Sequence, residues 1–99
     1  MRIITKTTID KYYKRPGRED SKNALLCWHQ TVKNAEWKNF SDMKKDFNSV
    51  DAVGNQHYVF NICGNHHRLV VVVKFVVGIV YIRWIGTHAE YDKIDCRTI

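Results

Sequence analysis

The architecture of this chain turns on residues 57–87, HYVFNICGNHHRLVVVVKFVVGIVYIRWIGT. The stretch is rich in β-branched and aromatic residues and is broken by glycine at Gly64 and Gly78. Gly64-Asn65 suits a two-residue hairpin turn, and Val77-Gly78 suits a second. The expected strands are His57–Cys63, His67–Val76 and Ile79–Thr87. With Cys63 opposite His66 and Val76 opposite Ile79, the period of two sorts the side chains onto two faces. One face takes Tyr58, Phe60, Ile62, Leu69, Val71, Val73, Phe75, Val80, Ile82 and Trp84, an apolar set that needs a cover. The other takes His57, Val59, Asn61, His66, Arg68, Val70, Val72, Lys74, Tyr81, Arg83 and Thr87. A slip of one residue in any strand would bury its charges, which favours this register. Helices over the apolar face would leave the other face free to bind a ligand.

The cover is upstream. Thr7 or Thr8 caps a helix through about Arg15, and Pro16-Gly17 ends it. A second helix is expected from Asp20 or Ser21 to about Trp37, with Leu25, Trp28, Val32 and Ala35 on one stripe. Met1–Thr5 reads as a short strand, Asn39–Asn48 as a polar connection with one helical turn, and His88–Ile99 as a polar end. The fold class is therefore α+β, in a single domain over residues 1–99.

Hydrophobic residues make up 44% and charged residues 26%, which excludes wholesale disorder. The net charge of +6 points to an anionic partner. Residues 1–45 hold 11 Lys/Arg against 5 Asp/Glu, whereas residues 46–99 hold 5 of each, so the first half carries the basic footprint. Cys27, Cys63 and Cys96 are odd in number and form no CxxC pair, and no secretory leader is visible. Reduced thiols and a cytoplasmic location follow as expectations. The apolar runs Leu69–Val73 and Phe75–Val80 are too short to span a bilayer, so no membrane partner is expected.

Four groups of residues carry chemistry. Arg68 and Arg83, with His57 and Lys74 on the same expected face, suit a phosphate, because guanidinium groups stay charged and donate in a fork. An ordinary solvated sheet face explains them equally well. Thr87-His88-Ala89-Glu90-Tyr91-Asp92 places His88 and Tyr91 three apart, on one side of a helical turn, where both suit proton transfer. The same segment reads as a helix start, with Thr87 and Glu90 as a capping box, and the two readings are compatible. His57, Cys63, His66 and His67 match no zinc spacing, so no metal is expected. Lys11, Lys14, Arg15 and Arg18, interleaved with Tyr12 and Tyr13, suit a nucleic-acid backbone or a solvated helix face.

Taken in order, His57–Asn65, Arg68–Val71, Tyr81-Ile82-Arg83 and Thr87–Asp92 resemble the HigB toxins of bacterial type II toxin–antitoxin modules. The resemblance implies a RelE-like fold: a small antiparallel β-sheet with two N-terminal helices packed on one face. It implies a metal-independent mRNA endoribonuclease without cofactors, acting on mRNA at the ribosome and inhibiting translation. It further implies a HigA-like helix-turn-helix antitoxin, with operator DNA touched only through that partner. On this view Arg68 and Arg83 clamp the phosphate, and His88 and Tyr91 transfer protons, with acid and base unassigned. His57, Lys74, Lys11, Lys14, Arg15 and Arg18 would contact RNA. The competing class is a non-catalytic basic module that binds RNA or an acidic protein.

Overall fold

Five consecutive apolar residues, Leu69–Val73, can be buried on both sides only in the interior of a sheet. The computed structural model describes residues 1–99 and places them there. The elements run β1 (Arg2–Ile4), α1 (Lys6–Tyr13), a 3-10 turn (Glu19–Ser21), α2 (Lys22–Asn34), α3 (Phe40–Asp46), β2 (Asp51–Gly54), β3 (His57–Ile62), β4 (His67–Lys74), β5 (Ile79–Thr87) and α4 (His88–Tyr91). The sheet order is β1-β5-β4-β3-β2. All neighbours are antiparallel except β1, which lies parallel to β5 with Ile3 beside Val80. The result is α+β, with a mixed sheet.

The β3–β4 register is the expected one: Ile62 faces His67 and Asn61 faces Arg68. The β4–β5 turn differs. Lys74 faces Ile79, so the turn spans Phe75–Gly78, closed by Gly78 N–H donating to Lys74 O at 2.9 Å. The offset is two residues, so faces are conserved as far as Ile82. There the strand bulges. Val71 faces Ile82 but Val70 faces Trp84, with Arg83 unpaired between them. Two residues opposite one reverse the facing of everything that follows. Trp84 therefore leaves the apolar face where the regular period put it, and Ile85, opposite Leu69, takes its place.

The core forms between this face and the helices. Ile9 and Tyr12 of α1 and Leu25, Trp28 and Val32 of α2 are buried with Phe60, Leu69, Val71, Val73 and Val80. Phe60 meets the Trp28 ring edge-on at 5.4 Å and the Phe47 ring at 4.9 Å. One element was not expected, and another is longer than the single helical turn expected. β2 is a short edge strand with little apolar content. α3 occupies the expected polar connection, capped by the Asn39 side chain, which accepts from Asp42 N–H at 2.9 Å. α2 stops at Asn34 because Ala35 is extended.

The far face of the sheet is partly covered, which narrows the open binding surface expected there, although Arg68, Val72 and Tyr81 keep part of their surface exposed. Val59 and Val70 on that face are 3% and 0% exposed. The chain after α4 returns across it: the Ile99 carbonyl accepts from His57 on β3 and from Arg83 on β5, and the Arg97 carbonyl accepts from Asn55. No helix is long and apolar enough to cross a membrane.

Phe60→Ala removes the ring shared by Trp28 and Phe47. It is expected to destabilise the chain by about 3–5 kcal/mol, measured as a lower urea midpoint at unchanged m-value.

Candidate active site

At the end of β5 the backbone passes directly into α4. Thr87 is extended, and its hydroxyl accepts from Glu90 N–H at 3.2 Å while Glu90 Oε1 accepts from Thr87 N–H at 2.8 Å. The expected capping box is thus present. The Thr87 N–H is the main reason that the Glu90 carboxyl sits below its ordinary range, and Arg18, at 3.5 Å, acts in the same direction.

This cap sets His88 and Tyr91 on one helical turn. His88 is exposed, and its backbone N–H donates to His66 O at 3.0 Å. Tyr91 is half-buried; its hydroxyl donates to Cys96 Sγ at 3.3 Å. Burial, aided by that bond, pushes its pKa up to about 12. At neutral pH Tyr91 is therefore a phenol, able to donate a proton or hydrogen bond and unable to act as a base. The Arg68 guanidinium lies 5.9 Å from the Tyr91 ring centre, and Trp84 packs beside the same ring at 6.2 Å. Arg68 is steadied by donating to Asn65 O at 3.1 Å and His67 O at 3.3 Å.

A second cluster adjoins the first through Trp84. β1 pairs only with Ile79–Tyr81, so β5 from Arg83 onward has α1 for a neighbour instead. Between them lies a groove of about 320 Å³ lined by Thr8, Lys11, Tyr12, Arg15, Arg83, Trp84 and Ile85. Three of these are cations. Arg15 and Arg18 also lie over the Tyr12 ring, at 5.7 and 5.9 Å. The bulge aims Arg83 here. Its Nε donates to Ile99 O at 3.2 Å, which leaves the two Nη groups to an anion.

The structure thus groups Arg68 with Tyr91, which shares α4 with the exposed His88, and Arg83 with Lys11 and Arg15, and it links Arg18 to α4 through Glu90. It does not bring in the others. His57 is 6% exposed, with both ring nitrogens against carbonyl oxygens, those of Asn55 at 2.7 Å and Ile99 at 2.9 Å. It is no surface contact. Lys74 bonds Gln56 at the opposite end of β4, and Lys14 stands exposed.

Reading the residues alone overlooked Trp84, which a regular strand period sends to the core. It also overlooked a chain of hydrogen bonds behind the groove. The Tyr12 hydroxyl donates to His67 Nδ1 at 2.7 Å, and His67 Nε2–H donates to Asp20 Oδ1 at 3.0 Å. That second bond is the leading reason that the Asp20 carboxyl is held below its usual value. Asp20 and His67 are too far apart in sequence for any spacing rule to join them.

The family model for HigB_toxin, described as the RelE-like toxic component of a toxin–antitoxin system, matches residues 21–94. The chain belongs to the HigB toxin family. The matched span includes Arg68, Arg83, His88 and Tyr91, whereas the cations of α1 and the loop after it precede it. The mRNA interferase toxin HigB of Escherichia coli strain K12 is 35% identical over 95 residues, covering 93% of this chain and 88% of that HigB. The mRNA interferase HigB of Shigella flexneri is equally similar. That of Escherichia coli O6:H1 strain CFT073 is 26% identical over 96 residues, covering 95% and 91%.

Both Asp20 and Glu90 have folded pKa values below their unfolded ones. Their stabilisation is complete above the ordinary carboxylate values of 3.8 and 4.5, and is lost as pH falls through the folded values. The urea midpoint is therefore expected to drop on acidification below about pH 4.5, and the drop to be shallower in Glu90→Gln.

Proposed function

We propose that this HigB-family chain is the toxin of a toxin–antitoxin pair and an mRNA endoribonuclease, and that its active centre is the junction of β5 with α4. The observation that carries this is the Arg68 guanidinium over the Tyr91 phenol, on the same short helix as the exposed His88. RNA brings its own nucleophile, the 2′-OH. A protein has to align it, take its proton, hold the charged phosphorane and protonate the departing 5′-oxygen.

Each task has a candidate here. Arg68 and the free Nη groups of Arg83 hold the non-bridging oxygens and stabilise the added charge, so the chemical step needs no metal. His88 accepts the 2′-OH proton. Tyr91, being protonated, donates to the 5′-oxygen as the P–O5′ bond breaks and the 2′-O–P bond forms. The products are a 2′,3′-cyclic phosphate and a 5′-OH end. Lys11, Arg15 and Arg18 guide the flanking backbone along the groove, and Trp84 is placed to stack on a base. The absence of a strong base from the cluster fits a substrate that the ribosome holds in line. The relatives' names carry mRNA as substrate, and the family description carries an antitoxin partner. We take that partner to be a HigA-like helix-turn-helix protein, through which alone the pair meets operator DNA, in the cytoplasm.

The test is induced expression in a bacterium with primer extension on a translated mRNA. New cuts and growth arrest are expected, with both lost in the Arg68→Ala/His88→Ala double variant. Purified Tyr91→Phe, which keeps the ring under Arg68 but lacks the donor, is expected to cut about 10²–10³-fold more slowly. A folded chain that never yields cut RNA, yet binds it with strong salt dependence, would make this a binding module instead.

A further inference from the structure

Away from the proposed chemistry, three side chains from distant segments meet at the β3–β4 turn. Asp20 comes from the 3-10 turn before α2, and Cys63 and His66 flank Gly64-Asn65. The carboxylate oxygen, the thiol sulfur and a ring nitrogen all lie within 4.8 Å of one another. Asp20 Oδ2 is 3.4 Å from His66 Nδ1 and 4.0 Å from Cys63 Sγ. Tetrahedral zinc with bonds of about 2.0–2.3 Å spaces its ligand atoms about 3.3–3.8 Å apart. The Asp20–His66 spacing already matches, the Asp20–Cys63 spacing exceeds the range by 0.2 Å, and a small side-chain adjustment brings all three atoms onto one ion.

We propose that Asp20, Cys63 and His66 form a binding site for a borderline-soft divalent cation of the Zn²⁺ class, with solvent in the fourth position. Thiolate and imidazole together select this class over magnesium or calcium, which take oxygen ligands. The carboxylate is oriented in advance: its other oxygen accepts from buried His67, which Tyr12 holds in turn. Such outer-shell bonds fix ligand geometry at metal sites. Cys63 sits at φ +54°, a conformation that favours glycine, and there it points its sulfur at Asp20. The side chains of His66 and Asp20 are 70% and 48% exposed, so an ion reaches them without unfolding.

Spacing along the chain discounts this site, because Cys63 and His66 alone match no zinc pattern and the third ligand is distant in sequence. Coordination releases the thiol proton to solvent and forms one bond from each ligand. It would brace the turn whose His66 carbonyl receives the His88 N–H, the first residue of α4. None of the three ligands has a part in the proposed cleavage, so the site stands or falls independently of that reading.

Purified full-length protein, stripped with chelator, is titrated with Zn²⁺ against a chromophoric chelator and separately with Co²⁺. One ion per chain is expected, with a thiolate-to-cobalt charge-transfer band. Cys63→Ser and His66→Ala are each expected to weaken Zn²⁺ binding by about 100-fold, at the upper end of what even an outer-shell loss costs. Cys27→Ser, at an exposed thiol elsewhere, leaves it unchanged. Should Cys63→Ser fail to fold by circular dichroism, His66→Ala, altered at an exposed side chain, gives the same discrimination. Absence of stoichiometric binding, no charge-transfer band, or an affinity unmoved in His66→Ala would each overturn the site.

Discussion

One extra residue in β5 determines how the rest of the molecule is used. Opposite Val70 and Val71 the strand carries Ile82, Arg83 and Trp84, and the pleat cannot absorb the surplus. Ile85 turns into the core, Trp84 turns out against Tyr91, and Arg83 turns toward the groove beside α1. A regular strand would bury the indole and leave Tyr91 without its aromatic neighbour. The polar cluster therefore depends on a backbone irregularity more than on any single side chain.

The cluster is also supported from below. Glu90 closes the capping box that starts α4 and pairs with Arg18, so the loop after α1 is held to the end of β5. Tyr12, His67 and Asp20 tie that same loop to β4 through a buried histidine whose two ring nitrogens are both satisfied. Satisfied polar chains of this kind cost little and fix relative positions, whereas a broken one would leave buried groups unpaired. Across the sheet, the segment after α4 is tied down by its Arg97 and Ile99 carbonyls, which accept from Asn55, His57 and Arg83.

Much of this was legible in the residues. The valine-rich run, the Gly64-Asn65 turn and the Leu25/Trp28/Val32 stripe specify three strands and a covering helix through local periodicity alone. Thr87 and Glu90 announce α4 through capping chemistry. What escaped depends on contacts between distant parts of the chain. β2 is short and mostly exposed, so no alternation marks it. The bulge at Arg83 has no glycine to flag it. The second turn runs two residues longer than its Val77-Gly78 pair suggests, although the even offset kept the faces correct up to Ile82. His57 reads as an RNA contact on an open face, and in the fold its ring is buried between the Asn55 and Ile99 carbonyls. Asp20 reads as a helix-start residue, and only the folded chain places it against His66 and His67.

The parallel pairing of β1 with β5 has a consequence for synthesis. Ile3 leaves the ribosome 77 residues ahead of its strand partner, Val80. The sheet edge stays open, with its backbone groups unpaired, until β5 emerges, and the proposed active centre follows only with α4. Contacts so distant in sequence form late and pay loop closure before they return any stability. A nascent chain of this protein thus lacks the proposed centre until α4 has followed β5 out, which separates the start of its synthesis from the assembly of that centre.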